Sequence, residues 1–261
     1  MTKKYKFEDL LEIMEKLRAP GGCPWDQEQT HESLTKCMIE EAYEAVDAIN
    51  EGSKEKIIEE LGDVLLQVVF HAQIGKENKS FDIDDISHAI SEKLVYRHPH
   101  IFKNEDLKDS QAVLRRWEDL KKQEKGHTSV TQSMESVPRN FPALMRASKV
   151  QKKAQLVGFD WPNVEGALLK IKEETKELEE TILEKDKDRQ MSEIGDLLFS
   201  VVNVCRFLDI DPEKALNSSS DKFIKRFSYV EEKCLDNHLK MEEMTIEELD
   251  KFWDEGKNEG R

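Results

Sequence analysis

Two stretches decide how this chain is read: "ELGDVLLQVVF" at residues 60–70 and "EIGDLLFSVVNV" at residues 193–204. Each sets a Glu and, three residues later, an Asp just ahead of a run of Leu, Val and Phe. A helix that is apolar on nearly every side is a buried one, and a bare carboxylate inside it is costly. Asp63 and Asp196 are therefore expected to be buried alongside something that neutralises them.

Working outward, the chain repeats itself, and the repeat settles its organisation. "CPWDQEQTHESLTKCMIEEAYEAVDAI" leads into the first stretch and "FDWPNVEGALLKIKEETKELEETIL" into the second. Each holds a Trp that follows a Gly, then E-E-x-x-E on one helix. Glu41 to Glu60 spans 19 residues, as does Glu174 to Glu193. Downstream, Lys93 and Arg97 at i, i+4 match Lys222 and Arg226, and Trp117 with Lys121 matches Trp253 with Lys257. The polar segment "EKGHTSVTQSMESVPRN" suits an exposed connector. Two tandem domains are expected, 1–124 and 140–261, joined by a linker at 125–139.

The acids have a definite geometry if each copy is a helical hairpin. In the first, turning at "NEGS" where Gly52 can end a helix, Glu44 and Glu60 lie eight residues either side of Gly52, and Glu41 and Asp63 eleven. At 1.5 Å per residue these pairs stand ~12 and ~16 Å from the turn, at matching heights on antiparallel helices. The second copy keeps the symmetry about Lys185, with Glu177 and Glu193 eight residues away and Glu174 and Asp196 eleven, although its turn "LEKDKD" has no Gly. Residues three apart share a face, so four carboxylates meet in each ring.

Two like charges 4 Å apart repel by about 4 kcal/mol at an effective dielectric near 20. Such a ring must protonate, pair with bases or hold cations. All-oxygen ligands suit Mg²⁺ or Mn²⁺, shared with a substrate's phosphates. The downstream Lys/Arg pairs can take the remaining phosphate charge. The pattern points to metal-dependent chemistry on a nucleotide or other polyphosphate.

Composition agrees. The formal charge of −15 argues against a nucleic-acid partner, which needs a basic surface. Apolar residues recur at helical spacing and strand-like alternation is scarce, so the class is all-α. Cys23, Cys37, Cys205 and Cys234 form no CxxC pair and read as reduced thiols. The opening "MTKKYKFEDLL" lacks a signal-peptide core and the most apolar windows are interrupted by acids, so no membrane span and a cytoplasmic location are expected.

With these residues in view, "GGCPWDQEQTHESL", the two EExxE…ExxD sets, "RHPHIF" and "VPRNFPALMRASKVQKKAQLVGFDW" closely resemble the MazG family of nucleoside triphosphate pyrophosphohydrolases. The resemblance implies an all-α fold of two tandem helical domains, each completing a bundle with a partner chain in a homodimer, with Mg²⁺ in the acidic rings. It implies hydrolysis of NTP or dNTP to nucleoside monophosphate and pyrophosphate with little base selectivity. Carried over, Glu174, Glu177, Glu193 and Asp196, with Glu41, Glu44, Glu60 and Asp63, hold metal, and Lys222, Arg226, Lys93 and Arg97 hold phosphates. Trp253 and Trp117 stack on a base, Lys257 and Lys121 reach the same ligand, and Lys170 and Lys172 touch phosphate. Glu173 or Glu40, just outside the metal set, is placed to orient the water. The second copy has "RFSYVE" where the first has "RHPHIF", so the copies have diverged.

Other readings share parts of this pattern. A di-iron bundle needs Glu-x-x-His on two helices, whereas position i+3 is Asp in both copies. His98 and His100 sit in a Pro-containing loop without a matching ligand set and read as structural. A narrower dUTP or phosphoribosyl-ATP pyrophosphohydrolase, or a non-catalytic helical interaction protein, would share much of the pattern.

Overall fold

The computed structural model describes residues 4–103, 109–124 and 126–261, and among them every regular element is a helix. They fall into two compact units, Met1–Lys121 and Lys122–Arg261.

The first unit runs α1 (Phe7–Arg18), α2 (Pro24–Glu28), α3 (Thr35–Glu51), α4 (Lys54–Glu77), α5 (Ile83–Arg97), α6 (Pro99–Phe102) and α7 (Ser110–Glu124). Helices α3 and α4 form the expected hairpin. Gly52 closes α3 at φ +72°, a left-handed conformation that suits glycine, and its N–H donates to the Ala48 carbonyl at 3.1 Å. The Ser53 hydroxyl then caps α4 by accepting from the Lys56 N–H. Helix α1 packs on α4, burying Met14, Leu34, Val69, Phe70 and Ile74, with Leu10, Leu11 and Leu66 around them. The i, i+4 spacing of Leu66, Phe70 and Ile74 makes one face of α4 the wall of this core.

The second unit runs α8 (Val130–Glu135), α9 (Ala143–Gln155), α10 (Val164–Glu184), α11 (Lys187–Phe207), α12 (Pro212–Asp236), a 3₁₀ turn at Met241–Glu243, and α13 (Ile246–Asn258). The α10–α11 hairpin turns without glycine: Lys185 itself adopts φ +59°, a conformation that costs an L-residue roughly 1–2 kcal/mol. The Asp186 carboxylate offsets this by accepting from the N–H groups of Asp188 and Arg189, both at 3.1 Å. Helix α9 packs on α11, α8 and α12 pack on α9, and α13 packs on α12. Of the segment read as a connector, Lys125 lies outside the described residues. Its remainder contains α8, which folds onto α9 with Ser133 and Val137 buried and Lys153 donating to the Ser133 hydroxyl at 2.6 Å.

The expectation that the two opening stretches are buried all round needs correction. Leu61 and Leu65 on α4, and Ile194, Leu198 and Val201 on α11, are exposed, as are Ile39, Val46 and Ile49 on α3. An all-round apolar helix needs neighbours on every side. Within its own unit each hairpin packs chiefly against α1 or α9, and these apolar side chains lie on the faces left open. No helix among the described residues is long and apolar enough to cross a membrane.

Candidate active site

In the first hairpin α3 presents Glu41 and Glu44 one turn apart and α4 presents Glu60. One carboxylate oxygen from each lies within 4.8 Å of the others. The second hairpin repeats this with Glu174 and Glu177 on α10 and Glu193 on α11. The heights counted from the turns thus bring three of the four expected acids together in each copy. The fourth stands outside both groups. Asp63 is half-buried and close enough to act electrostatically on Glu41 and Glu60. Asp196 is exposed rather than buried, on the flank of α11 that the single unit leaves uncovered.

The clusters carry the signature of crowded like charge. Glu41 is held above the usual carboxylate range by burial and then by Asp63, Glu44 and Glu40. Burial, Glu44, Glu59, Asp63 and Glu41 raise Glu60 in the same way. Glu177 is raised by burial, Glu174, Glu193 and Glu173. Both effects disfavour the ionised form. Three carboxylates converging within 4.8 Å are the all-oxygen donor set that an oxygen-preferring divalent ion takes, so the residues fit Mg²⁺ or Mn²⁺.

The two copies differ in one respect that charge makes important. Glu174 is only 4% exposed. Lys170, four residues earlier on the same face, sets its ammonium 2.5 Å from Glu174 and 2.9 Å from Glu173. Hydrogen bonds to both carboxylates push the Lys170 ammonium well above its ordinary value. Four residues before Glu41 the first copy has Cys37 instead, and its neighbour Lys36 pairs with the exposed Glu40 at 3.2 Å. The second cluster therefore has a built-in cation on α10 where the first has a thiol.

The other expected residues are placed less uniformly. Lys172 is exposed and, two residues from Lys170, points to the opposite side of α10. Lys222 and Arg226 lie on α12, and Trp253 and Lys257 on α13. The Arg226 guanidinium sits 5.7 Å from the centre of the Trp253 ring, which tilts against Phe223 at 5.0 Å. This group assembles within itself, because α12 packs on α13 and α9 rather than on the acidic hairpin. In the first unit Lys93 and Arg97 lie on α5, and on α7 the Lys121 ammonium stands 3.9 Å over the Trp117 ring. His98 is used structurally, its Nδ1 2.7 Å from the Leu94 carbonyl at the end of α5.

Several polar contacts had no local signal in the sequence. Arg206 on α11 grips Asp160 of "GFDW" through two guanidinium nitrogens, one at 2.9 Å from Oδ2, and also donates to Asn203. Arg206 and Asp160 stand 46 residues apart, beyond any helical or turn spacing. In the first unit Arg18 binds Glu77, and His31 Nδ1 lies 2.8 Å from His71 Nδ1. Gln151, Asn203 and Arg206 line a cavity of about 460 Å³ between α9, α11 and the Gly158–Trp161 loop.

Set against known proteins, the chain matches the MazG nucleotide pyrophosphohydrolase domain twice, over residues 29–102 and 163–230. It is 49% identical over 252 residues to a Thermotoga maritima protein named nucleoside triphosphate pyrophosphohydrolase/pyrophosphatase MazG, covering 96% of this chain and 95% of that one. To the nucleoside triphosphate pyrophosphohydrolase of Escherichia coli K12 it is 40% identical over 257 residues, covering 97% and 98%. It is also 48% identical over 258 residues to the uncharacterized protein YabN of Bacillus subtilis, covering 98% of this chain and 53% of that one.

Proposed function

Because this chain belongs to the MazG nucleotide pyrophosphohydrolase family, and is a hydrolase of that class, we propose that it converts ribo- and deoxyribonucleoside triphosphates of broad base range to the monophosphate and pyrophosphate. Water attacks the α-phosphorus, forming a P–O bond to the water oxygen while the bridging bond to the β-phosphate breaks. The observation that supports this reading best is the pair of three-glutamate clusters at matching heights on two hairpins.

When bound there, Mg²⁺ or Mn²⁺ supplies Lewis-acid stabilisation of the charge that develops on the phosphates. Glu174, Glu177 and Glu193, with Asp196 one turn further along α11, are the residues that would hold it in the second copy. Glu41, Glu44, Glu60 and Asp63 have that role in the first. Lys170 pairs with Glu174 before substrate arrives and then becomes available to a phosphate. Glu173, bonded to Lys170 beside the cluster, is the carboxylate left to orient the attacking water.

The cations on α12 and α13 belong to the same reading through a second copy of the chain. A homodimer is proposed, in which a partner covers the exposed apolar faces of the hairpins, since contiguous exposed apolar faces mark interaction sites. It brings Lys222, Arg226, Trp253 and Lys257, and in the first unit Lys93, Arg97, Trp117 and Lys121, toward the acids. Sedimentation at equilibrium should give twice the chain mass, and a monomer at micromolar concentration would overturn this part.

The test of the activity is direct. Wild-type protein, Mg²⁺ and a panel of NTPs and dNTPs are incubated and the products identified by phosphorus NMR, with Glu193→Ala and Glu60→Ala alongside. Monophosphate and pyrophosphate are expected across the panel. Diphosphate and orthophosphate would sink the α-phosphorus attack, and turnover of a single nucleotide would replace broad range with a narrow specificity. Full activity in both variants would remove the clusters from the reaction. Activity lost in one alone names the working copy.

A further inference from the structure

The second copy departs from the first at "RFSYVE", and the fold gives that departure a consequence. In the first unit α5 ends at Arg97 and Pro99 opens a separate short helix, whereas α12 runs straight past Arg226 to Asp236. The added turns carry Tyr229 and Glu232, which follow Arg226 at spacings of three and so share its face of the helix. The chain leaving α13 folds onto that face. Gly256 lies against the Tyr229 ring, where an added Cβ would come within 2.9 Å. Tyr229 is only 4% exposed and its hydroxyl donates to Glu259 at 2.9 Å. Gly260 then turns the chain at φ +77°, and the Arg261 N–H closes the end of α13 by donating to the Gly256 carbonyl at 3.0 Å.

Arg261 is anchored through its side chain as well. Its guanidinium donates to Glu232 at 3.0 Å and lies 5.2 Å from the centre of the Tyr229 ring. Held in this way, its main-chain carbonyl accepts the Arg226 Nε–H at 3.0 Å. The Trp253 ring stands 5.7 Å from the same Arg226 guanidinium. The first copy lacks the anchors. Counting from Arg97 as from Arg226, His100 and Lys103 stand where the second copy has Tyr229 and Glu232. Counting from Trp117 as from Trp253, Glu124 stands where the second copy has Gly260. A lysine cannot pair with an arginine, and a glutamate disfavours the left-handed turn.

We infer that Arg261 is a positioning residue for Arg226, acting through its main-chain carbonyl, and that Tyr229, Glu232 and Gly260 are there to hold that carbonyl in place. The inference rests on the phosphate-binding role proposed above for Arg226. A guanidinium is a rigid planar fork. Once a fixed acceptor takes the Nε–H, the edge left for an anion is the one that carries both Nη groups. That edge presents two parallel N–H donors, the arrangement that meets two phosphate oxygens together. The carbonyl also removes rotamer freedom from a long side chain before substrate arrives, so less ordering is left to oppose binding. The first copy, without the acid, the phenol and the glycine, offers Arg97 no such brace.

The test separates positioning from folding. Arg261→Ala removes an exposed side chain and both of its anchors, so the Tm should hold while the carbonyl is freed. KM for NTPs should rise about fivefold, the scale of immobilising one long side chain on binding, with kcat unchanged. Arg261→Lys, which keeps the charge facing Glu232, should recover part of the loss. In an Arg226→Met background Arg261→Ala should cost nothing further, because the group it positions is gone. Calorimetric binding of α,β-methylene-ATP, which cannot release pyrophosphate, reads the same effect without turnover. If Arg261→Ala weakens the analogue by that factor, and does not do so in the Arg226→Met background, yet no NTP is hydrolysed, the brace stands and the activity falls. If NTPs are hydrolysed and Arg261→Ala leaves KM and Kd unchanged, or costs as much in the Arg226→Met background, the activity stands and the brace falls. Arg226→Met binding the analogue as wild type does would overturn the brace as well.

Discussion

Replacing Lys170 by Met tests the central electrostatic feature of the second cluster. In the metal-free protein the Glu174 side chain is 5% exposed and its close charged partner is the Lys170 ammonium at 2.5 Å. Removing one member of a fully buried ion pair costs about 3–5 kcal/mol, because the other charge is left unpaired. The Lys170 side chain is itself 38% exposed, so water already screens part of the pair, and about 2 kcal/mol is expected. For a unit the size of Lys122–Arg261 this is a fall of roughly 8 °C in the Tm of the corresponding transition, read by circular dichroism in EDTA at pH 7.5. Saturating Mg²⁺ should narrow the gap. The ion no longer competes with an ammonium in the variant, and at a hundred times Kd a bound ligand contributes about 2.7 kcal/mol. The Mg²⁺-induced rise in Tm should therefore be larger in Lys170→Met than in wild type. An unchanged Tm in EDTA would refute the reasoning, since it would mean that Glu174 tolerates burial without its lysine.

Three other outcomes are expected. Glu60→Gln should raise the metal-free Tm at pH 7.5 and lose that advantage toward pH 4. The folded-state Glu60 value is raised by burial and neighbouring carboxylates, so stability present below the unfolded value near 4.5 is lost as pH rises through the folded one; a constant difference across pH would contradict it. Arg206→Met should lower unfolding stability in urea by about 3 kcal/mol, because Arg206 and Asp160 retain only 10% and 17% side-chain exposure. A loss below about 1 kcal/mol would make the pair an ordinary surface bridge. Burial and His31 hold His71 below its ordinary value, so the first unit should weaken as pH falls below about 6.5, where the unfolded chain takes up a proton that the fold resists. Glu32, which is coupled to His31, is the nearby carboxylate that could soften the effect. His71→Gln should flatten this acid limb, and an unchanged limb would show that the pair does not titrate with folding.

The repeat, the all-helical class and the heights of the glutamates were legible because they depend on quantities local to the chain. Helix rise, turn position and three-residue spacing are enough to place Glu44 opposite Glu60 and Glu177 opposite Glu193. Even the turn without glycine kept its register, with Lys185 taking the left-handed conformation that Gly52 takes in the first copy. Burial was not legible in the same way. The runs after Asp63 and Asp196 are apolar on nearly every side, but apolarity states a demand for neighbours without saying which chain supplies them. One unit meets that demand on one flank and leaves Leu65, Leu198 and Val201 exposed.

The sequence by itself determined that two hairpins carry matched carboxylates and that only the second has a lysine four residues before its first cluster acid. The tertiary structure decided which acids converge, how Arg206 anchors a loop 46 residues away, and that a cavity lies between α9, α11 and the Gly158–Trp161 loop. The physical reason is one of range. Spacing along a helix fixes contacts within a few turns, whereas a cavity is the space left when side chains from several separate elements fail to fill it.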